Sequence, residues 1–296
     1  MTGVLNIYKE KGYTSHDVVA ILRRIAKTKK VGHTGTLDPN ATGVLPVCFG
    51  RATKLADYLA SADKTYIAEV IFGLETNTGD ITGEVIAKNN VIFDKAAIES
   101  AVNSFAFAQS GVYMQTPPMF SAIKIGGKKL YEIARKGKSI EVPARPVTIH
   151  EIEILEFRPE KNSIIIKVKC SKGTYIRSLA IDIGKKLGGS ATMGELERTQ
   201  SGIFDICNAI KLSTLKESAE VGELSNFISP VDKILPYKKI TLSAQEAKPA
   251  RNGNPLPLSI IGDVAKSNEK FWLYDTNGII GLFSIKGEML KVEVML

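Results

Sequence analysis

One acid stands alone in a loop of small and hydroxylic residues, Gly32-His33-Thr34-Gly35-Thr36-Leu37-Asp38-Pro39. Glycines and threonines around a single carboxylate expose it rather than pairing it in a core, and Pro39 stiffens the chain beyond it. A carboxylate so placed can act as nucleophile, general base or electrostatic stabiliser, the roles acids play at the anomeric carbon of a sugar. Asp before Pro is also ordinary turn chemistry, so the loop alone leaves both readings open. Other chemistries lack their motifs. There is no GxxxxGK(S/T), and Gly126-Gly127-Lys128-Lys129 reads as a basic turn instead. HxE with PCxxC, HExxH, GxSxG and GxGxxG are absent as well. His16, His33 and His150 are far apart in sequence, and Cys48, Cys170 and Cys207 have no CxxC spacing. No metal and no organic cofactor is expected.

Three further stretches can supply partners for the acid: Lys64-Thr65-Tyr66, Thr116 to Lys124 with the basic run Gly127 to Gly137, and Lys172-Gly173-Thr174-Tyr175-Ile176-Arg177. The elements that must position them follow from periodicity. Val4 to Tyr8 reads as a strand, and Ser15 as the N-cap of a helix running to about Lys27. Gly32 to Gly43 reads as a loop, Val44 to Phe49 as a buried strand, and Ala52 to Ala60 as a helix. Thr65 to Phe72 alternates as a strand, Thr76 to Gly83 is a polar loop, and Phe93 to Phe105 is an amphipathic helix. Met119 to Ile125 is expected as a strand, Lys128 to Lys136 as a basic helix, and three strand-like runs lie between Ser139 and Ser171. Tyr175 to Leu187 is helical and stops at Gly188-Gly189.

The sum is an α+β fold with a mixed, mainly antiparallel sheet, and no repeated βαβ unit. After Pro230 to Pro236 short apolar runs alternate with Asn252-Gly253-Asn254-Pro255 and Asn277-Gly278, which are turn and hairpin signals. Two domains are expected: a large body over 1–235, with a basic insertion at about 115–140, and a small all-β unit over 236–296, for which an edge extension of the main sheet is the alternative. A chain of 296 residues with 44% hydrophobic content can bury a core of that size. Net charge is +8 and the pI about 9.2, which points to a polyanionic partner, although positive surfaces also serve solubility. Met1 to Lys11 lacks the apolar stretch of a signal peptide, no run is long enough for a membrane helix, and the cysteines form no disulfide framework. The expected location is the cytoplasm, without a membrane partner.

Taken in order, the Asp38 loop with Thr42-Gly43-Val44-Leu45-Pro46, the Lys64 and Thr116 stretches and Gly173-Thr174-Tyr175-Ile176-Arg177 resemble the TruB family of bacterial tRNA pseudouridine synthases. The resemblance runs from Gly3 to about Thr199. It implies a pseudouridine synthase fold and a cofactor-free isomerisation of one uridine in the T loop of tRNA. The base is flipped out, detached from its ribose, turned and rejoined through carbon. Asp38 matches the family's catalytic aspartate, Arg177 the arginine paired with it, and Tyr66 the tyrosine stacked on the flipped base, whose hydroxyl is placed to handle a proton. His33 matches the histidine that enters the gap left by the base, Tyr175 a substrate-contacting tyrosine, and Leu196 an apolar contact at the floor of the site. Lys64 is expected to support the site.

The basic residues Lys124, Lys128, Lys129 and Arg135, with Tyr131 among them, are read as the RNA-gripping element, against a solvated helix face. Arg251-Asn252-Gly253-Asn254 resembles the PUA domain that family members carry. The family's Leu-Arg-Arg reads Leu196-Glu197-Arg198 here, which puts an RNA contact at Glu197 in doubt but not the chemistry at Asp38. The resemblance implies the T stem-loop of tRNA as partner, a monomer, and no obligate protein partner. Two rival readings are a guide-directed rRNA pseudouridine synthase, whose lysine-rich tails are lacking here, and a non-catalytic tRNA-binding or tRNA-folding protein, which has no need of Asp38, Tyr66 and Arg177 together.

Overall fold

The computed structural model describes residues 1–106, 112–261 and 269–296. Alternating apolar runs become strands β1 (Gly3–Lys9), β2 (Val31–His33), β3 (Thr42–Phe49), β4 (Lys64–Phe72), β5 (Ile149–Arg158), β6 (Ser163–Cys170) and β7 (Ala191–Ser201). They order as β5-β6-β4-β7-β3-β1, continued by Ile210–Lys211, with β2 on β3 and Phe204–Asp205 on β7. Among the described residues of this sheet only β7–β3 and β1 with Ile210–Lys211 pair in parallel, so the sheet is mixed and mainly antiparallel, as expected. The helices of the body include α1 (Ser15–Ile25), α2 (Ala56–Ala60), α3 (Lys95–Ala106) and α4 (Ile176–Lys186).

Period 2 explains why Val44 to Phe49 is apolar throughout. Leu45, Val47 and Phe49, with Leu5 and Ile7 of β1, enter one core together with Val18 and Leu22 of α1, Ile98 and Val102 of α3, and Leu179 and Ile183 of α4. Val4 and Cys48, on the opposite side of the same two strands, enter a second core with Leu55, Leu59, Val231, Trp272, Leu282 and Leu296. Each large side chain buried in this way contributes about 1.5–3 kcal/mol.

The described residues from Lys238 onward form their own sheet. Its strands are β8 (Lys238–Thr241), β9 (Leu256–Pro257), β10 (Lys270–Asp275), β11 (Gly278–Lys286) and β12 (Met289–Met295), in the order β8-β10-β11-β12-β9. The hairpin signalled by Asn277-Gly278 forms between β10 and β11, but its two turn residues are Thr276 and Asn277, and Gly278 already pairs with Asp275 in β11. The unit is not all-β: α5 (Ala244–Arg251) crosses it, closed by a Ser243–Glu246 capping box. Through Trp272, Leu282 and Leu296 it shares the second core with the body.

Several local expectations are corrected. Thr14, not Ser15, caps α1; its hydroxyl accepts from Asp17 N at 3.0 Å while Asp17 accepts from Thr14 N at 2.8 Å. Ser15 is thereby released for another task. The loop from Gly32 to Gly43 is strand at both ends, since His33 pairs with Val47 and Thr42 with Glu197. Gly50–Leu55 is a 3₁₀ helix that precedes the shorter α2. Met119 to Ile125 is not a strand except at Lys124–Ile125. Lys128–Lys129 pairs with Lys124–Ile125 across the Gly126-Gly127 turn, which leaves only Leu130–Ala134 as helix. Among the described residues no helix is long and apolar enough to cross a membrane.

Candidate active site

The Asp38 loop is tied down on both sides of the acid. Leu37 is buried in the main core, and its N–H donates to Ser15 Oγ at 2.9 Å while Ser15 Oγ donates to Leu37 O at 3.3 Å. On the far side Pro39 O accepts from Gly12 N at 2.9 Å and from Lys9 Nζ at 3.1 Å. Lys9 is fully buried and also donates to Tyr13 O at 2.7 Å and Glu10 O at 3.2 Å. Burial pushes its pKa down to about 8, against the pull of the Asp38 charge. With its neighbours fixed, Asp38 presents a carboxylate that is 37% exposed.

Arg177, in the first turn of α4, is only 5% exposed. Its Nε lies 3.0 Å from Asp38 Oδ2 and its Nη2 donates to Oδ1 at 3.3 Å, a two-point grip on the carboxylate. The remaining N–H groups reach Thr78 O at 3.0 Å and Phe120 O at 2.8 Å, and Asp80 Oδ2 lies 4.0 Å from Nε. A cation is unfavourable at a helix N-terminus. Two carboxylates and two carbonyls offset that here. The sequence expectation of an Asp38–Arg177 pair matches this geometry.

Tyr66 on β4 lies opposite Arg198 on β7 and Val168 on β6. Its ring keeps some exposure. Burial of its hydroxyl raises its pKa, partly countered by the Arg198 charge beside it, so the phenol stays protonated. Tyr175 caps α4, with its N–H donating to Gln115 Oε1 at 2.7 Å and its carbonyl accepting from Gln115 Nε2 at 3.0 Å. Burial raises the pKa of Tyr175 too, and both phenols feel the Asp38 charge. Leu196 is buried opposite Ala68. Lys64 does not point its ammonium at the acid; Nζ donates to Ala60 O at 2.6 Å and Ala62 O at 2.5 Å, stitching the end of α2 to β4.

His33 accepts from Gly35 N at Nδ1 (3.3 Å), which leaves the proton of the neutral ring on Nε2. His16 meets it edge-to-face with ring centroids 5.2 Å apart. Burial first, then the charges of His16 and Arg198, lower the His33 pKa from 6.5 to about 4. Between those values the unfolded chain binds a proton that the native chain refuses, so stability falls as pH drops from about 6.5 to about 4. The loss is at most about 3 kcal/mol, and solvent screening of the part-exposed ring lowers it. Replacing His33 by Gln should flatten this acid limb in thermal melts taken across that range. A variant whose melting temperature falls as steeply as the parent's contradicts the assignment.

Arg198 is the residue that sequence reasoning missed. It is 1% exposed and donates from Nε to Val44 O at 2.7 Å, from Nη2 to Gly35 O at 3.3 Å and from Nη1 to Thr36 O at 3.5 Å. It thus straps the Asp38 loop to β3 from beneath while facing Tyr66. Gly43 makes room for it: its φ is +102°, and a Cβ there would lie 2.2 Å from Arg198 O. Glu197, on the other side of β7, accepts from Tyr8 Oη at 2.9 Å and Thr42 Oγ1 at 3.4 Å, so the charge that departs from the family pattern is held within the protein.

The 115–140 segment joins the site through Phe120 O on Arg177 and Thr116 O on Ser178. Lys124, Lys128 and Arg135 are exposed and Lys129 half-buried. Lys129 Nζ and the Arg135 guanidinium lie 5.4 and 5.3 Å from the Tyr131 ring centroid, which braces both cations on one aromatic.

The site therefore gathers an oriented carboxylate, two protonated phenols and a neutral imidazole. Known proteins are similar to the chain over most of its length. The TruB family pseudouridylate synthase (N terminal domain) profile matches residues 23–176, and the tRNA pseudouridylate synthase B C-terminal domain profile matches 177–236. A tRNA pseudouridine synthase B from Bacillus pumilus is 46% identical, covering 87% of this chain and 84% of its own. The Clostridium tetani protein of the same name is 42% identical over 100% of both chains. Among solved structures, an H/ACA RNP bound to a substrate RNA containing 2′-deoxyuridine superimposes with a TM-score of 0.71 at 25% identity, covering 99% of this chain and 84% of that one.

Proposed function

The chain belongs to the TruB family of pseudouridylate synthases and is a tRNA pseudouridine synthase, an isomerase acting on tRNA, and from that premise we propose that Asp38 carries the reaction on a flipped uridine of the T loop. The observation that supports this reading most is the two-point Asp38–Arg177 pair, which orients the carboxylate and leaves one side of it open. Isomerisation moves atoms within one nucleotide. The bond from C1′ to N1 breaks, the base turns, a bond from C1′ to C5 forms, and the C5 proton is lost as N1 gains one. An ionised carboxylate can drive the first step by attacking C1′ or by removing a sugar proton.

A base cannot turn within a stack, so the uridine enters the site extruded and needs a platform. Tyr66 supplies the ring face, and its protonated hydroxyl sits by Arg198 to relay the C5 proton. Tyr175 and Leu196 bound the pocket, and neutral His33 fills the place left in the loop without adding charge. Tyr66→Phe is expected to keep stacking, so tRNA affinity stays near the parent value, while the single-turnover rate falls about 100-fold. An unchanged single-turnover rate contradicts the proton role.

We also take residues 1–235 as the catalytic body and 236–296 as a PUA-like unit that extends the tRNA contact. The insertion at Lys124, Lys128, Lys129 and Arg135 grips phosphates on this reading. The identity to the bacterial tRNA enzymes, 46% against 25% for the H/ACA RNP structure, favours action without a guide RNA or an obligate protein partner. The purified protein alone should then modify an unmodified tRNA transcript.

A further inference from the structure

The stretch from Val18 to Leu37 contains five lysines and arginines and no aspartate or glutamate. Arg23 and Arg24 lie in the last turn of α1, where cations complement the helix dipole. That accounts for two of them. Lys27, Lys29 and Lys30 lie beyond the helix end, exposed, in a turn where Lys27 takes φ +48°. The turn is not slack: Thr28 N donates to Arg23 O at 3.1 Å, Val31 N to Lys29 O at 3.0 Å, and Gly50 N to Lys30 O at 2.8 Å. This last bond brings the 3₁₀ helix Gly50–Leu55 alongside, with exposed Arg51 and Lys54. Three residues apart in a 3₁₀ helix, those two share one face. Among the described residues no ion pair joins a carboxylate to Arg24, Lys27, Lys29, Lys30, Arg51 or Lys54.

Six like charges with no ion-paired acid repel one another in the free protein, and a polyanion relieves that repulsion. The position of the rim fixes which polyanion it meets. Arg23 Nη2 donates to Val31 O at 2.9 Å and so anchors α1 to β2, the strand that ends at His33. From Lys30 to His33 along β2 is about 10 Å. The insertion reaches Asp38 by a different route, through Phe120 and Arg177. We propose that this rim is a second phosphate-binding surface for tRNA, separate from the insertion, which holds the backbone flanking the flipped uridine on the β2 side. The inference rests on the tRNA pseudouridine synthase reading.

The test uses the full chain and an unmodified tRNA transcript in single-turnover titrations at several salt concentrations. The triple variant Lys27→Gln, Lys29→Gln, Lys30→Gln should raise the apparent Kd about tenfold or more at physiological salt. It should also make the slope of log Kd against log salt shallower by about 2, as expected for three lost phosphate contacts. The limiting rate should stay within about twofold of the parent. The corresponding triple change to Arg should restore affinity and slope. A scattered control of equal charge, Lys161→Gln, Lys216→Gln, Lys233→Gln, should leave both unchanged, and melting temperatures report folding of every variant. An unaltered Kd and slope in the rim variant, or an equal change in the scattered control, overturns the proposal. Failure of the parent itself to form pseudouridine is a separate result and strikes the functional reading instead.

Discussion

Asp38→Asn is expected to lower the single-turnover rate of pseudouridine formation by at least ~10⁴-fold, the scale on which removal of a reacting group acts. Affinity for tRNA should stay within about tenfold, because phosphate contacts carry most of it. Asparagine keeps the size and one acceptor oxygen, so Arg177 retains a partner and the loop keeps its ties at Leu37 and Pro39. What disappears is a charge able to attack C1′ or take a proton. A variant that still turns over near the parent rate shows that the carboxylate is not the catalyst. A variant that loses rate together with most of its affinity shows that the loop, rather than the chemistry, has failed.

Arg177→Lys carries the second large effect. Lysine preserves the charge but makes a point contact in place of the two-point grip, and it cannot also serve Thr78 O and Phe120 O. We expect kcat to fall about 10²- to 10³-fold with KM changed much less, since a misaimed carboxylate costs rate rather than binding. Arg177→Met should be slower still and less stable by about 1–3 kcal/mol, because it strands two part-buried carbonyls and leaves Asp38 and Asp80 without the cation between them. Arg177→Lys with parental kcat contradicts a positioning role. Arg177→Met with parental melting behaviour contradicts the structural half of the argument.

Much of the site was legible in the linear chain because its residues sit in special local contexts. Asp38 lies in a loop of small residues, Tyr66 near the start of an alternating strand, and Arg177 in the first turn of a helix after Gly173-Thr174. The supporting residues were harder to find, although their signal was present. Lys9 continues the inward alternation of Leu5 and Ile7, and Arg198 that of Leu196, so period 2 places both cations inside. An inward-facing cation looks like a break in the pattern until carbonyls such as Pro39 O and Val44 O are seen to receive it. Ser15 looked like a cap because Thr14 and Ser15 both can be one. Only the fold shows that Asp17 selects Thr14 and that Ser15 turns to Leu37. The helix of the C-terminal unit was hidden by Pro249, which sits within α5. The shared core of that unit brings Val4 and Trp272 into one cluster from opposite ends of the chain, which no local pattern carries.

The most direct test of the central claim is a pseudouridine map of an unmodified tRNA transcript after incubation with the purified protein, with no guide RNA and no cofactor added. The account predicts one new pseudouridine, in the T loop, formed by the parent and not by Asp38→Asn. No pseudouridine in the T loop, or equal formation by Asp38→Asn, contradicts it.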